Sequence, residues 1–536
     1  MLTGYRRAVA TATYRVTSLD PLDDVVPVPG RRARRGLPAR LAVLAPAALM
    51  LVVGLVGLDR GSMWRDEAAS LVAARRDLAD LWSMLAHVES VHAVYYTFLH
   101  GWLQLDPAGG VVWARVPSVL AMTLVTGLVG LLGARLASVR VGVLAGLLLV
   151  VNPSVSFYAQ EARSTALVAA LALLTTWLLL QAVERRPRWW LAYGAGCVLL
   201  VGLNLLAVLV PLAHAATLLW WRRPRGDLLL WVVAVAPAGV LVAALAVLTG
   251  PQQLLIGWIP RPGLGSVKEL ARLLLGADAS VVVVAGLLTL LGALPTVHPA
   301  ARRALRTLLW PLRDRLQAVA VPLLVLPPVA LILASFVQPV FVPRYVFPSA
   351  AGAALLGAVG IERLGHLLAT RAGVLGGRHA AVALPVVLVV LLAAGDLGSQ
   401  RSERTPESRP DDLAAAAAVV AAGAQPGDGL LFVTDNRRLV AQVYPDAFAS
   451  VNDLALAETP EQTRNLTGRP FPVGRVLANL GASSRVWVVG RPDLHVMPSE
   501  TSSRAELDLL RRDFVAVDTP QARGVGITLF VRRPGT

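Results

Sequence analysis

The sequence predicts a polytopic α-helical membrane protein that carries a small α/β domain at its C-terminal end. Hydrophobic residues make up 55% of the 536 residues, and the mean hydropathy is +0.61. Charged residues are only 16%, against about 25% in ordinary soluble proteins. The apolar residues also collect in runs of roughly 20, the length of a membrane-spanning helix. Because so few polar residues cannot cover so much apolar surface, the composition excludes a soluble protein, a disordered chain and a disulfide scaffold.

Eleven apolar runs are long enough, or nearly so, to be membrane-spanning helices. They lie at 41–58, 114–134, 141–158, 164–183, 189–207, 206–221, 228–248, 281–297, 319–337, 345–362 and 380–396. The fifth and sixth runs meet without a clear border. An odd number of spans predicts that the segments before the first run and after the last lie on opposite sides of the membrane.

Arginine placement predicts the orientation. The basic segment before the first run and the loops on its side hold 24 Arg and Lys residues, whereas the loops on the other side hold 10. Cytoplasmic loops carry this excess in membrane proteins. We therefore expect a multi-pass protein of the inner (plasma) membrane with a cytoplasmic N-terminus and an extracytoplasmic C-terminal segment. The same bias explains the net charge of +16, so no nucleic-acid partner is predicted. Cys197 is the single cysteine, which excludes an intramolecular disulfide and a cysteine metal cluster.

The chain divides into three predicted parts. Residues 1–38 form a basic cytoplasmic segment, 39–400 a transmembrane domain with a large external loop at 59–113, and 401–536 an extracytoplasmic α/β domain. Within the loop, helical spacing at 77–88 and 91–105 predicts helices along the membrane surface. After a polar linker, Ser399 to Pro410, the tail predicts helices near 411–423 and 503–512 and strands at 430–434, 485–489, 514–518 and 526–532. It contains no glycine-rich phosphate-binding fingerprint.

The first candidate for chemistry is the acidic pair Asp66 and Glu67, which follows the first apolar run. A carboxylate just outside the membrane is well placed to act as a general base. Mutual repulsion and partial burial would raise the pKa of one of the two. The alternative is a solvated turn or a helix cap.

His92, Tyr95 and Tyr96 lie on the second predicted surface helix, and His92 and Tyr96 share one face because they are spaced i,i+4. They could line a sugar-sized pocket, although such residues are also ordinary at a membrane interface. His87, His92 and His100 have no obvious acidic third ligand, so no metal site is predicted.

Two further groups of polar residues lie at predicted outer helix ends. Gln160, Glu161 and Arg163 precede the fourth run, and Arg344 and Tyr345 lie at the edge of the tenth. Arginine suits phosphate binding because its planar fork of donors stays charged. The alternatives are a Glu161–Arg163 network without a ligand, and an arginine that reaches to the lipid headgroups.

Taken in order, the Asp-Glu pair, the His-x-x-Tyr-Tyr stretch, Tyr-Ala-Gln-Glu-Ala-Arg and Pro-Arg-Tyr resemble the GT-C glycosyltransferases. The resemblance covers most of 39–400 and is nearest to bacterial relatives of polyprenyl-phosphate-mannose protein mannosyltransferases and of lipid A aminoarabinose transferases. It implies inverting transfer of a mannose- or arabinose-type sugar from a polyprenyl phosphate to an extracytoplasmic glycolipid, polysaccharide or protein.

The resemblance also implies roles for individual residues. Asp66 would be the base, and Glu67 would orient the acceptor or the donor. Arg163 and Arg344, with Tyr345 beside them, would hold the lipid phosphate. The substrate-binding residues would be His92, Tyr95, Tyr96, Gln160 and Glu161. One departure is His92-Ala93, where many relatives have His-Pro or Pro-Pro. No cofactor is predicted, although a divalent cation is left open.

Two other classes of protein compete with this interpretation. A transporter or lipid flippase would suit eleven spans, but its ionisable residues would lie near the bilayer midplane, whereas here they cluster at outer ends. The second alternative is a scaffold or substrate-binding protein whose function resides in the C-terminal segment, 401–536. It has little support, because that segment has no recognisable motif. We expect the tail to help hold the acceptor or a partner. The sequence does not indicate the donor sugar, the lipid length or the oligomeric state.

Overall fold

The computed structural model describes residues 37–534 except for 186, 251–258, 295–314, 372, 498–499 and 518. The predicted cytoplasmic segment therefore lies almost entirely outside the described residues. In chain order, the helices up to the end of the membrane part are α1 (Leu37–Leu55), α2 (Arg65–Arg75), α3 (Leu78–Leu85), α4 (Ala93–Leu103), α5 (Gly110–Leu136), α6 (Val139–Val151), α7 (Pro153–Ala159), α8 (Thr165–Glu184), α9 (Arg188–Leu203), α10 (Leu209–Trp220), α11 (Arg225–Thr249), α12 (Leu264–Leu275), α13 (Ala279–Ala293), α14 (Gln317–Val337), α15 (Ser349–Arg371) and α16 (Gly373–Gly395).

The chain is a multi-pass membrane protein. Within the described residues, α5, α8, α11, α14 and α15 are long and apolar enough to cross a bilayer, and the bent pairs α6–α7 and α12–α13 bring the number to seven if each is one span. Shorter apolar helices α1, α9, α10 and α16 occupy the four remaining predicted runs. Every predicted run is thus helical over most of its described residues, whereas the total of eleven spans stays a prediction.

Small residues allow the membrane helices to pack closely. A Cβ added to Gly130 of α5 would lie 1.8 Å from the backbone oxygen of Ala42 in α1. Likewise, a Cβ on Gly292 of α13 would lie 1.8 Å from the backbone oxygen of Leu356 in α15. Close backbone contact of this kind is how helices associate in lipid, where apolar burial supplies little driving force between them.

The third predicted span, 141–158, is not straight. It breaks into α6 and α7, which meet at an angle of 70°. Asn152 ends α6, and its side-chain oxygen accepts a hydrogen bond from Ser154 N at 2.9 Å. Pro153 then occupies the first position of α7, where its missing N–H removes no helical hydrogen bond. The bend places the corner 160–164, between α7 and α8, beside the external helices.

The external region, residues 59–113, contains one helix that was not predicted from the sequence. The predicted surface helices are present as α3 and as a short 3₁₀ turn at Ser90–His92 followed by α4. In addition, α2 carries Asp66 and Glu67 in its first turn. Carboxylates there interact favourably with the helix dipole, although the N-cap position itself is occupied by Trp64.

The C-terminal region forms the predicted α/β domain. Its helices are α17 (Leu397–Ser402), α18 (Leu413–Gly423), α19 (Leu439–Val443), α20 (Pro460–Thr463), α21 (Val473–Ala482) and α22 (Thr501–Asp513). Its strands are β1 (Asp428–Phe432), β2 (Val451–Asp453), β3 (Leu456–Glu458), β4 (Arg469–Pro470), β5 (Arg485–Gly490), β6 (Phe514–Val517) and β7 (Gly526–Arg532). The main sheet has the order β2-β1-β5-β7-β6; β2, β1 and β5 are parallel, and β7 is antiparallel to both β5 and β6.

The four predicted strands correspond to β1, β5, β6 and β7, whereas β2, β3, β4 and α21 were not predicted. The stretch 399–410 is not a polar linker, because α17 runs across its start and Arg409 is buried at its end. The domain packs directly on the external region, where α19 contacts α2.

Candidate active site

Three charged side chains that are distant in sequence meet at one end of the membrane helices. Arg344 Nη2 lies 3.2 Å from Asp66 Oδ2, and Arg163 Nη2 lies 3.8 Å from the same oxygen. All three side chains remain partly accessible, with 24% of Asp66, 20% of Arg344 and 13% of Arg163 exposed. The arrangement is a carboxylate flanked by two guanidinium groups, open on one side.

The arginines keep Asp66 ionised. Burial alone would raise the pKa of the Asp66 carboxyl, but attraction by Arg163 and Arg344 outweighs it, and the pKa lies below its ordinary value. Attraction by Asp66 raises the pKa of both guanidinium groups despite their burial. At neutral pH the cluster therefore contains one negative and two positive charges, and the surplus positive charge favours an anion.

Neighbouring groups fix the direction of each arginine. Arg163 Nη1 donates hydrogen bonds to Asp66 O and to Ser70 Oγ, both at 3.2 Å. The Arg344 guanidinium lies 5.8 Å from the Trp64 ring centroid and 5.7 Å from that of Tyr345. Tyr345 thus contacts Arg344, next to the place where a phosphate would bind.

Glu67 points away from this opening. It is fully buried, and its two oxygens accept hydrogen bonds from Arg115 Nε at 2.9 Å and Arg115 Nη2 at 2.8 Å. Ala162 N also donates to Glu67 Oε1, at 2.8 Å. Successive residues on a helix point about 100° apart, so Asp66 and Glu67 face different surroundings. This geometry favours a positioning role for Glu67 over contact with donor or acceptor.

Arg115, the partner of Glu67, was not singled out from the sequence. Besides Glu67, its guanidinium donates to the backbone oxygens of Leu58, Gly61 and Ser62, at 3.0, 2.9 and 3.1 Å. It therefore ties α5 to the turn before α2 and to the corner at Ala162. The available signal was a charged residue at the start of an apolar run, where a buried partner is needed.

The aromatic group predicted from its spacing forms one wall near Asp66. Tyr95 and Tyr96 are buried, and the ring centroids of His92 and Tyr96 are 5.4 Å apart. Burial lowers the pKa of His92 to about 3, with Arg163 contributing, so the imidazole is neutral. His100, by contrast, contacts Ala74 O at 3.0 Å through Nδ1 and belongs to the packing of α4 on α2.

A second carboxyl, Glu89, was missed. Tyr96 Oη donates to Glu89 Oε2 at 3.3 Å, and His92 Nε2 lies 3.5 Å from the same atom. Burial raises the pKa of Glu89 even though Arg163 opposes the shift. Its φ of 60° lies in the left-handed region, which is uncommon for residues other than glycine and sets the chain direction before the 3₁₀ turn. An isolated glutamate between two predicted helices carries no periodic signal.

Gln160 and Glu161 lie behind the opening. The Gln160 amide donates to Gly54 O at 2.9 Å and Val56 O at 2.8 Å, which holds the end of α1. Glu161 is buried, its backbone oxygen accepts from Ser118 Oγ at 2.6 Å, and its Oε2 finds no hydrogen-bond partner among the described residues. Both side chains are buried, and their substrate-binding role stays a prediction.

The buried Glu161 carboxyl is expected to make the folded chain less stable as the pH rises. Burial raises its pKa to about 7 although Arg409 opposes the shift, so the folded chain retains the proton at pH values where an unfolded chain has released it. Stability is then lost as the pH rises from about 4.5 to about 7. We expect Glu161→Gln to raise the unfolding temperature in detergent more at pH 8 than at pH 5. The control is Glu458→Gln, at a half-exposed glutamate that pairs with Arg469 near the surface, and an equal gain from Glu161→Gln at both pH values would contradict the assignment.

Within the part of the chain that the structure describes, no three His, Cys, Asp or Glu side chains converge to hold a metal ion. The structure therefore adds no argument for the divalent cation that the sequence left open.

Comparison with known proteins supports the fold. No protein-family model and no curated protein matches the sequence. Among solved structures, the chain is similar to ArnT from Cupriavidus metallidurans in the apo state, with 16% identity, a TM-score of 0.54, and coverage of 91% of this chain and 97% of that one. It is also similar to the same protein bound to undecaprenyl phosphate, with 17% identity, a TM-score of 0.54, and coverage of 92% and 98%. The resemblance to lipid A aminoarabinose transferases is thereby confirmed at the level of fold.

Proposed function

We propose that the chain is a membrane glycosyltransferase that moves a sugar from a polyprenyl-phosphate donor to an acceptor outside the cytoplasm. The observation that carries the proposal is the Asp66 carboxylate between Arg163 and Arg344, at 3.8 and 3.2 Å, on the open side of the external helices. Such a cluster pairs a proton acceptor with two groups that hold a phosphate.

The reaction needs a proton acceptor and a phosphate-binding group at the same time. An acceptor hydroxyl attacks the anomeric carbon of the donor, a new carbon–oxygen bond forms, and the bond from that carbon to the phosphate oxygen breaks with inversion. The hydroxyl proton passes to Asp66, and the bonding electron pair leaves with the lipid phosphate. Because the phosphate gains negative charge in the transition state, Arg163 and Arg344 stabilise it most at that stage.

Donor binding should also raise the pKa of the Asp66 carboxyl. Without a ligand, the aspartate is the anion paired with both arginines, so a phosphate competes with it for them. Once the phosphate shares their charge, the pKa of Asp66 rises towards the ordinary carboxyl value, because attraction by these arginines is what lowers it. A carboxylate with a higher pKa is a stronger base, so donor binding prepares the proton acceptor.

Several finer assignments rest on the resemblance and on the solved relative. The undecaprenyl phosphate bound to ArnT supports a polyprenyl-phosphate donor. The wall of His92 and Tyr96 suits a hydroxyl-rich sugar of the mannose or arabinose type. The acceptor is a glycolipid, a polysaccharide or a protein, and the site faces the outside of the inner membrane.

The test is binding of undecaprenyl phosphate to the purified full chain. Arg163→Gln and Arg344→Gln should each weaken binding by roughly 10- to 100-fold, since each removes a charge-assisted contact to phosphate. Arg75→Gln, at an exposed position on α2, is the matched control and should bind as the wild type does. Wild-type affinity in both site variants would reject the phosphate site. Binding without transfer from any undecaprenyl-phosphate sugar would favour the flippase alternative.

A further inference from the structure

The stretch of chain that leads into the α/β domain packs against the backbone segments that carry the candidate active site. Arg409 is 1% exposed, and its Nη2 donates hydrogen bonds to Gln160 O at 2.7 Å and Phe157 O at 3.3 Å. Its guanidinium lies 3.9 Å from the Phe157 ring centroid. These contacts hold the end of α7 and the start of the corner 160–164, in which Arg163 follows three residues after Gln160.

The same stretch holds the other side of the site. Ser62 Oγ donates a hydrogen bond to Asp412 Oδ1, and Leu413 N donates to Met63 O at 3.2 Å. Ser62 and Met63 come directly before α2, whose first turn carries Asp66. Within the stretch 409–413, Arg409, Asp412 and Leu413 thus contact the two backbone segments that carry the charged cluster.

Arg409 brings positive charge towards the buried Glu161 and Glu67 carboxyls, but its hydrogen bonds give little further reason for an arginine at this position. Its Nε and Nη1 are buried and find no hydrogen-bond partner among the described residues. Burying unsatisfied donors of a charged group costs free energy. What Arg409 does supply is a rigid link between the C-terminal domain and the corner that carries Arg163.

We propose that Arg409 is a positioning residue for glycosyl transfer, and that the 409–413 stretch makes the C-terminal domain part of the reaction centre by setting Arg163 against Asp66. This inference rests on the proposed function. Arg409 touches neither of the two reacting groups, so it acts on the distance between them. A displacement of about 1 Å between reacting groups lowers rates by roughly 100-fold.

The experiment measures kcat and KM of the full chain with undecaprenyl-phosphate mannose and undecaprenyl-phosphate aminoarabinose. In Arg409→Met we expect kcat to fall by roughly 10- to 100-fold, whereas KM for the donor should rise much less than in Arg163→Gln, because Arg163 is displaced but still present. Arg409→Lys should recover part of kcat, since an ammonium group can replace one of the two hydrogen bonds. Hydrogen exchange of 157–163 should become faster in Arg409→Met.

The matched control is Arg532→Met. Arg532 lies 4.7 Å from the Phe514 ring centroid and donates to Ser483 O at 3.0 Å, so it makes the same kinds of contact wholly within the C-terminal domain. We expect wild-type kinetics from this variant. If Arg409→Met does not fold, the milder Ser62→Ala removes the contact to Asp412 and should still lower kcat several-fold.

The outcomes separate the two proposals. An active wild type with unchanged kcat in Arg409→Met and in Ser62→Ala overturns the positioning role and leaves the transferase intact. A wild type that neither binds undecaprenyl phosphate nor transfers sugar overturns the proposed function and the positioning role together. A rise in KM with constant kcat also overturns the inference, because it would place Arg409 in donor binding.

Discussion

Asp66→Asn is expected to lower turnover by roughly 10²- to 10⁴-fold, the usual contribution of a positioned general base, while undecaprenyl phosphate binds more tightly than to the wild type. Loss of the base explains the first effect. The second follows because Asp66 lies 3.2 Å from Arg344 and 3.8 Å from Arg163 and so competes with the phosphate for both arginines. A neutral amide competes far less.

Turnover is expected to fall while affinity for undecaprenyl phosphate rises, and this combination distinguishes a base from a residue that only supports the fold. A side chain that merely supported the fold would weaken binding and turnover together when changed. Both quantities are measured on the full chain in detergent, as the dissociation constant of undecaprenyl phosphate and as kcat with the sugar-loaded lipid. Asp59→Asn, an exposed residue of the same external region, serves as the control. Near-wild-type turnover by Asp66→Asn would remove Asp66 from the role of base.

Arg115→Met is expected to destabilise the chain by about 3–5 kcal/mol, the range for removing one partner of a buried ion pair. Arg115 and Glu67 are both buried, and their closest atoms are 2.8 Å apart. The substitution leaves the Glu67 carboxylate buried without its counter-charge, and three backbone oxygens lose their donor. Thermal or denaturant unfolding in detergent provides the measurement.

A second arginine on the same helix offers the comparison. Arg135 pairs with Glu184 at 2.6 Å near the surface, where both side chains are partly exposed, and such pairs contribute at most about 1 kcal/mol. Arg135→Met should therefore change stability little. Adding Glu67→Gln to Arg115→Met should recover part of the loss, because the buried charge is then gone. Equal effects from the two arginine variants would show that the Glu67–Arg115 pair is not essential to the fold.

Much of the fold was predictable because hydropathy is a local property. Apolar runs, and helical spacing for α3 and α4, identified the helices from α1 to α16 apart from the external helix α2 and the amphipathic helix α12; the break at Asn152-Pro153 was also missed. Short apolar segments likewise located β1, β5, β6 and β7. The short strands β2, β3 and β4 were missed, since segments of two or three residues are too brief to show a period.

The site was predictable only in part. Asp66, Arg163 and Arg344 stood out because charge at an outer helix end is unusual in a membrane protein, and the structure brings these three together. Glu67 follows Asp66 in sequence and was given a similar role, yet it points to Arg115. Arg409 looked like a linker residue and is buried against the corner of α7 and α8.

The sequence by itself determined which segments are apolar helices and which charged residues lie at their ends. These follow from the transfer of each side chain between water and lipid, a property of the residue and its near neighbours. Only the tertiary structure decided which arginine pairs with which carboxylate, and that the C-terminal domain holds the corner before α8. Partners such as Glu67 and Arg115, 48 residues apart, are chosen by how the helices pack, and no local pattern records that choice.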